Sequence, residues 1–190
     1  MPKLASSLAS RISQAETDKV ATGALGIAEV FGEDVNQVIR STSQLLLNGL
    51  APDADSALDQ VTAALQSGAN GAGDFFDSID EYSQHFAGFG LSATDMFAIF
   101  EHGLANGQRD TDKLADAVKE MRIRTVEDTD AINTAYERLG LNADDMRDAI
   151  AAGGPTARRA FQQILRAIDL VADPTEQQAL AVELIGTQYE

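Results

Sequence analysis

Apolar positions along the chain recur at steps of three and four residues. Leu4, Leu8 and Ile12 mark one stripe, Val35, Val38, Thr42 and Leu45 a second, and Leu58, Val61 and Leu65 a third. Phe75, Ile79, Tyr82, Phe86 and Phe89 advance by four, three, four and three, which keeps them on one face of a helix of about 3.6 residues per turn. Phe97, Phe100 and Leu104 repeat the habit, as do Leu114, Val118 and Met121, and then Phe161, Ile164, Leu165, Ile168 and Val171. No sustained alternation of β-branched and aromatic residues interrupts the pattern, which therefore predicts an all-α chain of nine or ten helices of ordinary globular length.

The punctuation between stripes agrees. Ser92 with Asp95, and Asn142 with Asp145, have the spacing of a capping box, in which the side chains at the helix start satisfy its free amides. Asp173, Pro174 and Glu176 read as an N-cap, a proline at the first helical position and an acid in the first turn. Gly49, Gly68, Gly103 or Gly107, Gly140 and Gly153 fall where helices should stop, since glycine takes the left-handed conformation cheaply.

Three stretches resemble one another: "GLAPDADSALDQVTAALQSG" at 49–68, "GLSATDMFAIFEHGLANG" at 90–107 and "GLNADDMRDAIAAGG" at 140–154. A shift of 39 positions lays Leu58 on Phe97, Val61 on Phe100, Leu65 on Leu104 and Gly68 on Gly107. The same shift lays Phe75 on Leu114, Ile79 on Val118 and Tyr82 on Met121. Two helices and the glycine between them keep register, so the unit is an αα-hairpin of about forty residues. The predicted organisation is an N-terminal helical segment over 1–30 and a helical region over 31–190, with hairpins at about 49–88, 90–125 and 140–171. The fold class is a multi-helix array of αα-hairpins, either a bundle or a short solenoid.

Composition narrows the chemistry. With 190 residues and 44% hydrophobic content the chain can bury a real core. It has no cysteine, hence no disulfide, thiolate nucleophile or Cys-ligated metal. No apolar run approaches a membrane span, and "MPKLASSLASRIS" lacks the apolar core of a signal peptide, so a soluble chain not exported by that route is expected. The net charge is −16, and no Lys or Arg occurs between Arg40 and Arg109. Such a surface repels phosphates, which makes duplex DNA and anionic lipid poor partners. It suits a solvated face, a basic protein partner, or a wall past which nucleic acid slides without sticking.

No residue pattern carries catalysis. The two histidines, His85 and His102, have no second histidine one turn away, so zinc and di-iron ligand sets are lacking and a structural role is expected. "DADSALD" at 53–59 superficially resembles a calcium loop, but it has no glycine at the sixth position and Ala64 stands where a bidentate Glu is required. "GANGAGD" at 68–74 follows no strand and precedes no Lys-Ser or Lys-Thr, so it reads as a turn and not a phosphate cradle. The pairs Asp144–Asp145 and Asp80–Glu81 are adjacent in sequence and diverge on a helix. Glu81 or Glu101 could serve only as the lone acid of a muralytic enzyme. In "RDTDKLADAVKEMRIR" at 109–124, Lys119, Arg122 and Arg124 gather at the helix end that the dipole favours. No catalytic, cofactor or metal site is predicted.

Collinear stretches carry a family resemblance: "EVFGEDVNQVIRSTSQLLLNGLAPDADSALDQVTAAL", "FDSIDEYSQHFAGFGLSATDMFAIFEHGLANGQRDTDKLADAVKEMRIR", "GLNADDMRDAIAAGGPTARRAFQQILRAI" and "DPTEQQALAVELIGTQYE". Over residues 30–190 the chain resembles the tail tape measure proteins of long-tailed bacteriophages and prophages, with Arg109–Glu120 and Gly186-Thr187-Gln188 the most specific pieces. Family members commonly read Phe-Gly-Thr-Gln-Trp near the end, and here Ile185 and Tyr189 take the aromatic positions. Family members are usually far longer, so the chain is expected to be a fragment. The resemblance implies a non-catalytic role in tail assembly and tail-length determination. It places the protein in the tail lumen of the virion and in the host cytoplasm during assembly. Implied partners are the tail tube protein and tail assembly chaperones, without specific nucleic-acid binding or membrane binding by this segment. Two other readings compete: an acidic helical-repeat adaptor for a basic partner, and the muralytic enzyme of Glu81 or Glu101.

Overall fold

The computed structural model describes residues 12–187, which form ten α-helices and, among the described residues, no strand. They are α1 (Gln14–Phe31), α2 (Val35–Leu47), α3 (Ala54–Gln66), α4 (Phe75–Gly88), α5 (Ala93–Ala105), α6 (Thr111–Arg124), α7 (Asp130–Arg138), α8 (Ala143–Ala152), α9 (Gly154–Asp169) and α10 (Pro174–Ile185). Leu4 and Leu8 of the first predicted stripe lie outside the described residues.

Helix starts are capped by side chains. Ser13, Asp34, Asp53, Ser92, Thr129, Asn142 and Asp173 each accept from the amide three residues on, satisfying one of the free N–H groups of the first turn. Ser92 and Asp95 form both arms of the capping box.

The repeated Gly-Leu phrase proves to be the end of one helix and not the opening of the next. Gly49, Gly90 and Gly140 hold φ of 74°, 67° and 70°. The amide of the following leucine then donates back five residues, Leu50 to Leu45 at 2.8 Å, Leu91 to Phe86 at 3.0 Å and Leu141 to Tyr136 at 2.9 Å. This is the Schellman arrangement, which needs glycine for its left-handed residue and an apolar residue after it to cover the last turn. Leu50 and Leu91 are accordingly buried. Gly68 and Gly107 close α3 and α5 in the same way, with Ala69 donating to Ala64 and Gln108 to Gly103. Gly107 is therefore the stop, and Gly103 is a buried helical residue.

The 39-residue register holds in the packing. α3 and α5 begin at Ala54 and Ala93 and end at Gln66 and Ala105, one period apart at both ends. Of the pairs that the shift lays together, Val61 with Phe100, Ile79 with Val118 and Tyr82 with Met121 are buried at both positions, whereas Leu58 with Phe97, Leu65 with Leu104 and Phe75 with Leu114 are fully buried at only one. The start of α6 departs from the register, standing 36 positions after that of α4.

The chain divides into two compact units, Met1–Ser83 with Ser92–Asp112, and Gln84–Leu91 with Lys113–Glu190. In the first unit α1 packs on α3 and α3 on α5, while α2 packs against α1 and α3. Gly23 lets α1 lie against α3, since a Cβ there would stand 2.4 Å from a Leu58 methyl. Polar links within this unit repeatedly span one hairpin. Lys19 reaches Asp55, Gln37 reaches Asp77, Ser41 reaches Asp80 and Ser67 reaches Glu101, separations of 36, 40, 39 and 34 residues. A helix that meets the next but one is the signature of stacked hairpins, so this unit is built as a solenoid is. Phe75 anchors its core, with ring centroids 5.0 Å from Phe97 and 6.3 Å from Phe100.

The second unit is built differently. α7 packs on α8, α8 on α9, α9 on α10 and α10 on α7, which closes a four-membered ring of helices. Phe161, Ile164 and Ile168 of α9 are buried, while Leu165 of the same predicted stripe is 36% exposed. Phe89 packs on Phe161 with centroids 4.8 Å apart. Tyr136 is fully buried, and its hydroxyl donates to the Thr125 carbonyl at 2.8 Å.

Candidate functional site

The acidic residues weighed as catalytic acids or metal ligands have structural places. Asp53 caps α3, accepting from the Ser56 amide at 2.8 Å, and that amide with the Ser56 hydroxyl holds its carboxyl below the ordinary carboxylate range. Asp55 pairs with Lys19 at 2.5 Å, and this contact raises the lysine above its ordinary value. "DADSALD" is thus a helix start with a cross-helix ion pair. Asp80 is held by Arg40 and by the Ser41 hydroxyl, 2.6 Å away, while its neighbour Glu81 points to solvent. Asp80 also raises Arg40 above its ordinary value. Glu101 is exposed and accepts from the Ser67 hydroxyl at 2.6 Å. Asp144 pairs with Arg147 at 2.6 Å and is not joined to Asp145, whose amide caps onto Asn142.

His85 is half-buried on α4 beside buried Phe86, and His102 lies exposed on α5, where its carbonyl accepts from Asn106. Among the described residues no group of three or more His, Cys, Asp or Glu could hold a metal ion. "GANGAGD" is a turn whose side chains brace its surroundings. Asn70 donates to Glu33 at 2.8 Å and accepts from the Phe75 amide, and Asp74 accepts from the amides of Thr111 and Asp112.

The arginines at the end of α6 do more than answer their own helix dipole. The Arg122 guanidinium lies over Gly88, where a Cβ would stand 1.8 Å from its Nε. Arg124 pairs with Glu120 and donates to the Glu183 carbonyl in the last turn of α10. Arg124 thereby serves the C-terminal turn of another helix, where carbonyls lack partners. Sequence spacing carries no signal for these partners, because they are tens of residues away.

Two grooves cross the face made by α1, α3 and α5. The larger, about 530 Å³, runs between α1 and α3 over Gly23, Gly26, Ile27, Val30 and Leu58. The smaller, about 330 Å³, runs between α3 and α5 over Ala63, Ala64, Phe97 and Ala98. Asp59 stands on the α3 ridge and lines both. No helix among the described residues is long and apolar enough to cross a membrane.

The family model for phage-related minor tail proteins matches residues 3–186, and the chain belongs to that family. It is 38% identical over 167 residues to the probable tape measure protein of Streptomyces phage phiC31, an alignment that covers 88% of this chain and 23% of that one. The chain thus spans about a quarter of the length of that relative. No solved structure matches it.

Proposed function

We propose that this chain is a non-catalytic segment of a tape measure protein and acts in tail assembly and in setting tail length. The observation that carries the reading is the 38% identity with the phiC31 protein across 88% of the chain. The all-α build of the described residues is compatible with it: with the hairpins opened into one continuous helix, a rise of about 1.5 Å per residue would convert residue number into length. The engagement of Asp53, Asp80 and Glu101 in caps and helix seams supports the non-catalytic part. The same reading places the segment in the tail lumen, and in the host cytoplasm during assembly. Its partners there are the tube protein and the tail assembly chaperones.

The test is electron microscopy of phage whose tape measure gene has lost residues 49–125 in frame. Laid out as continuous helix, that stretch accounts for roughly 110 Å of tail. Tails shortened by that amount are expected, and viable phage with tails of unchanged length would refute the ruler role.

A further inference from the structure

We propose that the groove between α1 and α3 is a docking site for a cationic amphipathic helix of a partner protein, seated with a Lys or Arg against Asp59. The proposal does not depend on the ruler role.

The α1 side of the groove is apolar, with Ile27, Val30 and Phe31, and it faces Leu58 on α3, which also contributes Asp55, Asp59, Thr62 and Gln66. Val30 is 75% exposed, a large apolar side chain left in water. Over Gly26 the groove is open, since a Cβ built there meets nothing within 4 Å. An elongated apolar trough between two helices is the shape into which an amphipathic helix lays its apolar face.

Charge decides the occupant. Asp59 is exposed on the rim and makes no hydrogen bond or ion pair among the described residues. The nearby Lys19 is already paired with Asp55. Within the chain no other cation is close in sequence, because Lys and Arg are missing from Arg40 to Arg109. A second copy of this chain would bring a net charge of −16 to an acidic rim, and a phosphate-bearing surface would be repelled for the same reason. An incoming β-strand would need an unpaired sheet edge, and the described residues contain no strand. A helix with leucine-like residues on one face and Lys or Arg at its margin answers both the trough and the rim.

The experiment uses fluorescence anisotropy with two synthetic helical peptides of about 18 residues, five turns. One is Leu/Lys amphipathic, and the other is its Leu/Glu counterpart. The Leu/Lys peptide is expected to bind and the Leu/Glu peptide to fail. Gly26→Phe, which fills the trough, and Asp59→Lys, which reverses the rim, should each weaken binding by about tenfold or more. Gly26→Ala and Asp169→Lys should bind as the parent does. Asp169→Lys makes the same charge change on an exposed residue of the other unit. Circular dichroism of all four variants verifies that they are folded. Equal binding of the Leu/Glu peptide, insensitivity to either groove substitution, or an equal loss with Asp169→Lys would overturn the proposal. So would the absence of binding at about 100 µM peptide.

Discussion

The carboxylate of Asp74 accepts from the backbone amides of both Thr111, at 2.7 Å, and Asp112, at 2.9 Å. A residue in the turn before α4 thereby caps the first turn of α6, 37 residues later. The buried hydroxyls of Ser78 and Thr111, 2.8 Å apart, and the bond from Tyr82 to Asp112 close the same seam. Asp74→Ala should cost about 2 kcal/mol in urea denaturation, because it strips two amides of a charged acceptor. Amide exchange should accelerate first at Thr111 and Asp112. Unchanged protection there would show that α6 holds its start by other means.

Glycines that share a left-handed φ differ in what a side chain would meet. At Gly49 and Gly140 a Cβ finds open space, whereas at Gly90 it would stand 2.0 Å from the Gly154 carbonyl oxygen. Gly49→Ala and Gly140→Ala should each cost about 1 kcal/mol, the penalty of the left-handed conformation alone. Gly90→Ala should cost about 3 kcal/mol or more, since rigid backbone must move as well. Equal losses at the three positions, read from denaturation midpoints, would contradict the close approach.

Burial pushes the Tyr136 phenol up to about 12. The folded protein therefore holds the proton more tightly than the unfolded chain, whose phenol titrates near its ordinary 10.0. The resulting stabilisation is fully present below pH 10 and is lost as the pH rises from there towards 12. Tyr136→Phe gives up the bond to Thr125, and the difference in stability between parent and variant should shrink by about 2 kcal/mol across that window. A difference constant from pH 8 to pH 11 would contradict it.

Between Arg40 and Arg109 stand nine carboxylates and no cation. Duplex DNA should consequently show no submicromolar binding to the protein, even at low salt where phosphate contacts are strongest. A gel-shift or anisotropy titration decides this, and tight binding would remove the idea that the surface lets a genome pass without adhering.

Much of the fold can be read from local pattern. The stripe from Phe75 to Phe89 is buried throughout, and glycines stop helices at Gly49, Gly68, Gly107, Gly140 and Gly153 as punctuation predicts. Both are short-range effects of helical period and backbone freedom, which a sequence displays directly. The choice between Gly103 and Gly107 is not local, because it depends on Gly103 facing the core. Nor does pattern disclose that Asp74 caps α6, that Arg122 covers Gly88, or that the second unit closes into a ring after the first unit stacks. Those contacts join residues tens of positions apart, and helical periodicity gives the direction of a face without naming what it meets. The groove beside Asp59 is hidden for the same reason, since its two walls come from separate helices.

The most direct test uses the repeat itself. Deleting residues 54–92 joins Asp53, the N-cap of α3, to Ala93, the first residue of α5, and so removes one period with its register intact. Duplicating the same stretch adds one. If the segment contributes its residues to the ruler, electron micrographs of the phage should show tails about 60 Å shorter and about 60 Å longer respectively, the length of one period as helix. A change of about 10 Å or less, the step of one helix packed on another, would contradict the ruler role.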